Sequence, residues 1–303
     1  MLIPCAKQDW LNHFDHPKLA SVLLTFSCEN KCIFCAAADQ RCNATPGEHL
    51  ATAAFEAWLD RCVAGGVKLL TFSGAGDPLT HPEIANLVRA VASCGIQPYA
   101  YTHAQRCDRA QAEELYQNGL HEALVSIHGH DSATHDRATR TPGSLARTLR
   151  GLGHLRSAGM RIQTNTVITI LNVHSLSQVL EQLDVEEMAF SYPQFQGEAG
   201  VTCSVPYEQA ARALRPVLAQ AEIMGRPVTV ENIPPCFIPY SEYQPMPDYP
   251  VLYKDRDLEL TVRPSEVDKT KGLACKGCQH FDCPGIDLNY PYDFIPGAFR
   301  DHG

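Results

Sequence analysis

Three thiols stand in one short stretch, Cys28-Glu29-Asn30-Lys31-Cys32-Ile33-Phe34-Cys35, directly after the apolar run Ser21–Phe26. Thiolate sulfur is the ligand that iron–sulfur clusters select, and three on one loop can wrap three corners of a cubane. A fully protein-bound [4Fe–4S] cluster takes four cysteines, so this loop would leave one iron open, and an open coordination site is where a metal centre does chemistry. Zinc is the competing reading, but it wants four closed ligands in paired C-x₂-C units, which this spacing fits poorly. A second group, Cys275, Cys278 and Cys283, has C-x₂-C-x₄-C spacing followed by Pro284-Gly285, and Cys236 stands upstream after Pro234-Pro235. Four thiols satisfy a closed [4Fe–4S] cluster or a Cys₄ zinc site equally well, and spacing alone leaves the two open.

These groups need elements to hold them. Strand-like runs at Ser21–Phe26, Val67–Ser73, Ile96–Thr102, Glu122–His128, Arg161–Ile170 and Glu187–Tyr192 alternate with helical stretches. Phe55, Leu59, Cys62 and Val63 form one apolar stripe at helical spacing, and Ile84, Leu87, Val88 and Val91 a second. Leu145, Leu149 and Leu152 make a third, and Leu214, Val217, Leu218 and Ala221 a fourth. Six strands alternating with helices imply a parallel α/β sheet with right-handed crossovers, either doubly wound or curled into a partial barrel. After about residue 230 the texture changes, and Ile233–Pro250 carries six of the 21 prolines. The expected division is an N-terminal extension over 1–20, an α/β unit over 21–230 and a small metal-organised domain over 231–303. The extension is too short for a domain of its own, which predicts no cobalamin-binding or leader-recognition domain on this chain.

The 3-then-2 spacing, with aromatic Phe34 just before the last cysteine, resembles the cluster loop of the radical S-adenosylmethionine (SAM) enzymes. The resemblance implies a (β/α)₆ partial TIM barrel with its reactive end at the C-terminal ends of the strands. It also implies an open iron chelated by the methionine part of SAM, and cleavage of SAM to a 5′-deoxyadenosyl radical that abstracts hydrogen from substrate. Ser73-Gly74-Ala75-Gly76-Asp77-Pro78 is similar to the family's Gly-Gly-Glu-Pro, which binds the amino group of SAM, with Ala75 for the second glycine and the shorter Asp77 for the glutamate. By the same resemblance Ser126, Asn165 and Arg137 are candidate SAM contacts, and the backbone of Phe34 touches adenine; a surface ion pair is the alternative for Arg137. His128 stands where the family frequently has aspartate. Cys236, Cys275, Cys278 and Cys283 resemble the auxiliary-cluster (twitch or SPASM-like) domain, which implies a second [4Fe–4S] cluster and favours iron over zinc there.

Of the remaining cysteines, Cys62 and Cys94 read as core packing, and Cys203 as a hydrogen-atom donor or a structural thiol. His103 and His128 lie at strand ends where a proton carrier would help. With 34 acidic against 25 basic residues the net charge is −9, which argues against a nucleic-acid footprint. No run approaches membrane-spanning length, and thirteen cysteines with no export signal predict a cytoplasmic protein with metal-bound rather than disulfide-linked thiols. The expected substrate is a peptide or a small natural product, with net oxidation, crosslinking or epimerisation as outcomes and a flavodoxin- or ferredoxin-type reductant as partner. An iron–sulfur electron carrier without SAM chemistry is the alternative.

Overall fold

The computed structural model describes residues 19–38, 48–73, 76–194 and 202–238, together with Cys275, Lys276 and Cys278. Of Ile3–Pro4, Val251–Leu252, Thr261–Val262, Lys269–Thr270 and Ile286–Asp287 it describes only the strand backbone. Cys5, Cys42, Gly74 and Cys283 lie outside the described residues.

Seven parallel strands form the frame: β1 (Leu19–Leu23), β2 (Leu69–Ser73), β3 (Gln97–Thr102), β4 (Glu122–Ser126), β5 (Arg161–Val167), β6 (Glu187–Ser191) and β7 (Val228–Glu231). Helices α1 (Thr52–Ala64), α2 (Ile84–Ser93), α3 (Arg109–Gln117), α4 (Ser132–Thr139), α5 (Ser144–Ser157), α6 (Leu176–Gln182) and α7 (Tyr207–Met224) connect them. The strands pair in chain order, so every crossover steps the same way round. A doubly wound sheet reverses at a switch point; this one does not, and it curls into an α/β partial barrel. Six strands were expected, and Val228–Glu231 adds a seventh beside β6. Val251–Leu252 pairs in parallel with β1 on the opposite edge.

Alternation within the strands separates two faces. In β3 and β5 every second residue is buried, and the residues between, beyond the exposed Gln97 and Arg161 that open the two strands, are half-buried on the other face. Tyr99 Oη donates to Gln163 Oε1 at 2.7 Å, linking β3 to β5 past the intervening β4, as curvature requires. The outer layer is apolar: Phe55, Phe72, Leu87, Leu115, Phe190 and Leu214 are fully buried between sheet and helices. The α2 stripe and the Leu214–Ala221 stripe of α7 are buried as expected. Two expectations are corrected. Val63 and Leu149 are exposed, and the buried line on α5 runs through Leu145, Thr148, Leu152 and Leu155. Cys62 is buried, with its thiol pushed up to about 12 by burial, but Cys94 is exposed at the end of α2 and packs in no core.

Candidate active site

The cysteine loop leaves β1 and is fixed by backbone bonds from its neighbours. Ser27 O accepts from Asp77 N at 2.8 Å, Lys31 N donates to Thr139 O at 2.9 Å, and Ile33 N donates to Ala138 O at 2.9 Å. Buried Asn30 accepts from Gln105 Nε2 at 2.7 Å, and Gln105 in turn accepts from Arg147 Nε at 3.0 Å. Arg106 Nε meets Glu29 Oε1 at 2.9 Å. The loop is therefore held from three directions, by the ends of β2, β3 and α4. Cys28, Cys32 and Cys35 are each half-buried on it, and Cys35 N turns back to Cys32 O at 3.2 Å. Three thiols on one rigid loop fit the donor set of a [4Fe–4S] cluster with one iron left for another ligand.

At the end of β2, Gly76 lies against the loop so closely that a Cβ there would overlap the carbonyl oxygen of Ser27. Close approach of two backbones accounts for a glycine at this position. Asp77 follows and is buried. Its carboxylate caps the short helical turn Pro78–Thr80 through Leu79 N at 3.0 Å, accepts from Thr102 Oγ1 at 2.7 Å and from His103 N at 3.2 Å, and lies 2.9 Å from His103 Nδ1. Burial alone would raise its pKa, but the charge and hydrogen bonds of His103, Thr102 and Leu79 outweigh burial and hold it below the usual carboxylate value. For His103 burial opposes protonation, and the Asp77 carboxylate overcomes it, holding the imidazole well above its ordinary pKa. The other ring nitrogen, Nε2, is 3.2 Å from Cys28 Sγ. Ligand-type atoms of Glu29, Asp77 and His103 all lie within 4.8 Å of one another. From the sequence, His103 is a strand-end candidate for a proton carrier, with no partner assigned. The signal for more was available, since it lies one residue past the end of β3, level with two loops that carry chemistry.

On the other side of the rim, Ser126 and Asn165 are register partners at the ends of β4 and β5. Ser191 Oγ lies 2.6 Å from Asn165 Oδ1 and 3.0 Å from Glu231 Oε2. One hydroxyl proton cannot serve both acceptors. Burial raises the Glu231 pKa, with the Ser191 hydrogen bond opposing it; when its carboxyl is protonated, Glu231 can donate to Ser191 while Ser191 donates to Asn165. Phe34 packs edge-on against His128, ring centroids 4.6 Å apart. His128 is buried, and its Nδ1 accepts from Val167 N at 3.2 Å. Burial and the nearby charges of His135 and His103 push its pKa well down. Through Nδ1 it pins the end of β5.

A cleft of about 790 Å³ opens beside the cysteine loop, lined by Ile33, Pro142, Ile170, Leu171 and Cys203 and by the charged Asp136, Arg137 and Arg140. The structure thus gathers Arg137 and Cys203 at one opening. Cys203 is buried, and burial raises its thiol pKa. Of the second cysteine group, Cys278 N bonds Cys275 O at 3.1 Å in a turn that leaves both half-buried, and Cys236 is exposed. No helix among the described residues is long and apolar enough to cross a membrane.

Residues 22–184 match the family model of the Radical SAM superfamily. The AdoMet-dependent heme synthase of Methanosarcina barkeri is 29% identical over 165 residues, 54% of this chain and 46% of the relative. The PqqA peptide cyclase of Ruegeria pomeroyi is 25% identical over 190 residues, 61% of this chain and 50% of the relative. The chain thus spans about half the length of these curated relatives. Among solved structures, Streptococcus suis SuiB bound to its precursor peptide SuiA superposes with a TM-score of 0.62 at 16% identity, covering 74% of this chain and 51% of SuiB, a likeness of fold. The family match spans more than half of the chain, and it takes in the cysteine loop and the strands from β1 to β5: this protein is an enzyme of the radical SAM superfamily.

Proposed function

We propose that the protein abstracts hydrogen from a peptide or a small natural product that carries a carboxylate, and that an auxiliary [4Fe–4S] cluster on Cys236, Cys275, Cys278 and Cys283 assists. The observation that carries the substrate reading is the cleft beside the cysteine loop. Ile33, Pro142, Ile170 and Leu171 give it apolar lining, Asp136 and Arg137 also line it, and with Arg137 assigned to SAM the Arg140 guanidinium is the cation proposed for a carboxylate on an otherwise apolar substrate. That one relative acts on a peptide and another makes heme keeps both substrate sizes in view.

Cys28, Cys32 and Cys35 would hold the SAM-binding cluster, which when bound supplies the electron that splits SAM. The chain's own residues bind and orient. Ser126 and Asn165 offer hydrogen-bonding groups at adjacent strand ends, and Arg137 offers a cation for the carboxylate of SAM's methionine. Asp77, as placed, has its oxygens turned to Thr102, Leu79 and His103, so it reaches SAM's ammonium less directly than a longer acid would. Cys203, which lines the same cleft, would return a hydrogen atom if the outcome is epimerisation. A flavodoxin- or ferredoxin-type protein is the proposed reductant.

Anaerobic reconstitution with iron and sulfide, followed by SAM and a strong reductant, tests the reading. Release of 5′-deoxyadenosine that is lost in Cys32→Ala supports it, and deuterium carried from a labelled substrate into that product identifies the substrate. Iron near eight atoms per chain, falling to about four in a Cys275→Ala/Cys278→Ala variant, supports the auxiliary cluster. Zinc at those cysteines, or iron near four in the unaltered protein, overturns it.

A further inference from the structure

We propose that His103 is a positioning residue for the catalytic cluster: anchored by Asp77, it donates a hydrogen bond from Nε2 to the sulfur of Cys28. The inference rests on the reading of Cys28 as a cluster ligand and extends it to the group behind that ligand.

The geometry is specific. Both ring nitrogens of His103 face a partner, Nδ1 at 2.9 Å from Asp77 Oδ2 and Nε2 at 3.2 Å from Cys28 Sγ. Nδ1 lies against the Asp77 carboxylate, which holds the ring in place, and the contact of Nε2 to sulfur is within hydrogen-bond reach. Asp77 is itself immobilised by Thr102 Oγ1 and Leu79 N. Thr102 Oγ1 also accepts from Ala104 N at 2.8 Å, which closes the turn that aims the imidazole. Ala104 holds a left-handed backbone with φ of 52°, and helix α5 carries glycine at 151, where a Cβ would overlap the Ala104 carbonyl. The chain therefore uses a strained residue, a buried carboxylate and a helix glycine to fix one histidine beside one cysteine. Asp77 being a methylene shorter than the family's glutamate acquires a reason, because its carboxylate serves the histidine.

A partner that donates to a metal ligand fixes the ligand's direction, and hydrogen bonds to the sulfurs are among the levers that set a cluster's reduction potential. A donor to the Cys28 thiolate withdraws electron density from the cluster, so it makes reduction easier. Removing it should make the potential more negative.

The test uses the anaerobically reconstituted full chain. The cluster of interest is the one whose electron paramagnetic resonance signal changes when SAM is added, and its midpoint is measured by redox titration without SAM. In His103→Leu the midpoint should move to more negative potential by well over the replicate error, with iron content retained. His103→Gln, which keeps an N–H donor, should fall between Leu and wild type. On the unaltered protein, electron–nuclear double resonance in H₂O and D₂O should reveal one exchangeable proton weakly coupled to this cluster, and ¹⁵N-histidine should show only a weak coupling. This second measurement decides the matter should the Leu variant fail to fold. An unchanged midpoint in His103→Leu, the absence of the exchangeable proton, or a strong nitrogen coupling from direct ligation to iron would each overturn the proposal. Failure of the underlying reading looks different: no signal would respond to SAM, and Cys28→Ala would retain all of its iron.

Discussion

The two halves of the barrel's rim differ in what they surround. Where β1, β2 and β3 end, the polar groups answer one another: Asp77 with Thr102, His103 and Leu79, Asn30 with Gln105, and the loop backbone with Asp77 N. Where β4, β5 and β6 end, the surface opens into the cleft, with Arg137, Arg140 and Cys203 around it. A connected polar network rigidifies what it surrounds. A cleft keeps hydrogen-bonding capacity for an incoming molecule. The first half is shaped to hold a cluster loop still and the second to admit something, so substitutions in the first should cost stability and iron, and those in the second should cost binding.

Gly76→Ala makes the sharpest break. Its Cβ would meet the backbone of Ser27 and Phe26, which has no flexible end to move, so the cysteine loop itself must shift. A loss of about 3 kcal/mol in urea unfolding is expected, at the upper end of overpacking costs, together with reduced iron uptake on reconstitution. Normal stability with full iron would show that the two loops are less tightly locked than the contact implies. Thr102→Val comes next. It keeps the shape but removes a donor to buried Asp77 and the acceptor for Ala104 N. About 2 kcal/mol of destabilisation should follow from leaving those groups short of a partner. On the other half, Arg137→Gln should leave the melting temperature unchanged and weaken SAM binding about tenfold, the loss expected for a charge-assisted hydrogen bond. Equilibrium dialysis of the reconstituted protein measures it. Unaltered SAM affinity with weakened substrate binding would move Arg137 from the SAM carboxylate to the substrate's.

How much of this was legible follows the same division. The frame was readable because periodicity reports burial directly: Ile84, Leu87, Val88 and Val91 share one buried face of α2, and the six expected strands all form. The seventh was missed because Val-Thr-Val-Glu is a short run after Pro227, and the proline-rich segment begins just beyond it. Leu149 misled because periodicity cannot tell that Thr148, one residue earlier, takes the inward position. At the site, the cysteine spacing and the Asp77 turn were visible because both are local. The partnership of Asp77, His103 and Cys28 spans three strand ends, and that of Ser191, Asn165 and Glu231 three more. Register between strands brings such groups together, and no spacing along the chain records it.

Glu231 gives the smallest effect and tests whether the open half tolerates an uncompensated charge. Its folded pKa is raised by burial, which Ser191 only partly offsets. A carboxyl raised in this way contributes fully to stability below its unfolded pKa, near 4.3, and loses that contribution as pH rises through the folded value. Glu231→Gln reproduces the protonated shape at every pH, including a donor for Ser191. The two proteins should therefore unfold alike near pH 4. Above the folded pKa the variant should be the more stable, by about 2–3 °C in melting temperature, measured by thermal unfolding across pH 4–8. A variant less stable than wild type at pH 8 would mean that the ionised carboxylate has a partner in the lumen and that Asn165 turns its amide nitrogen, not its oxygen, toward Ser191.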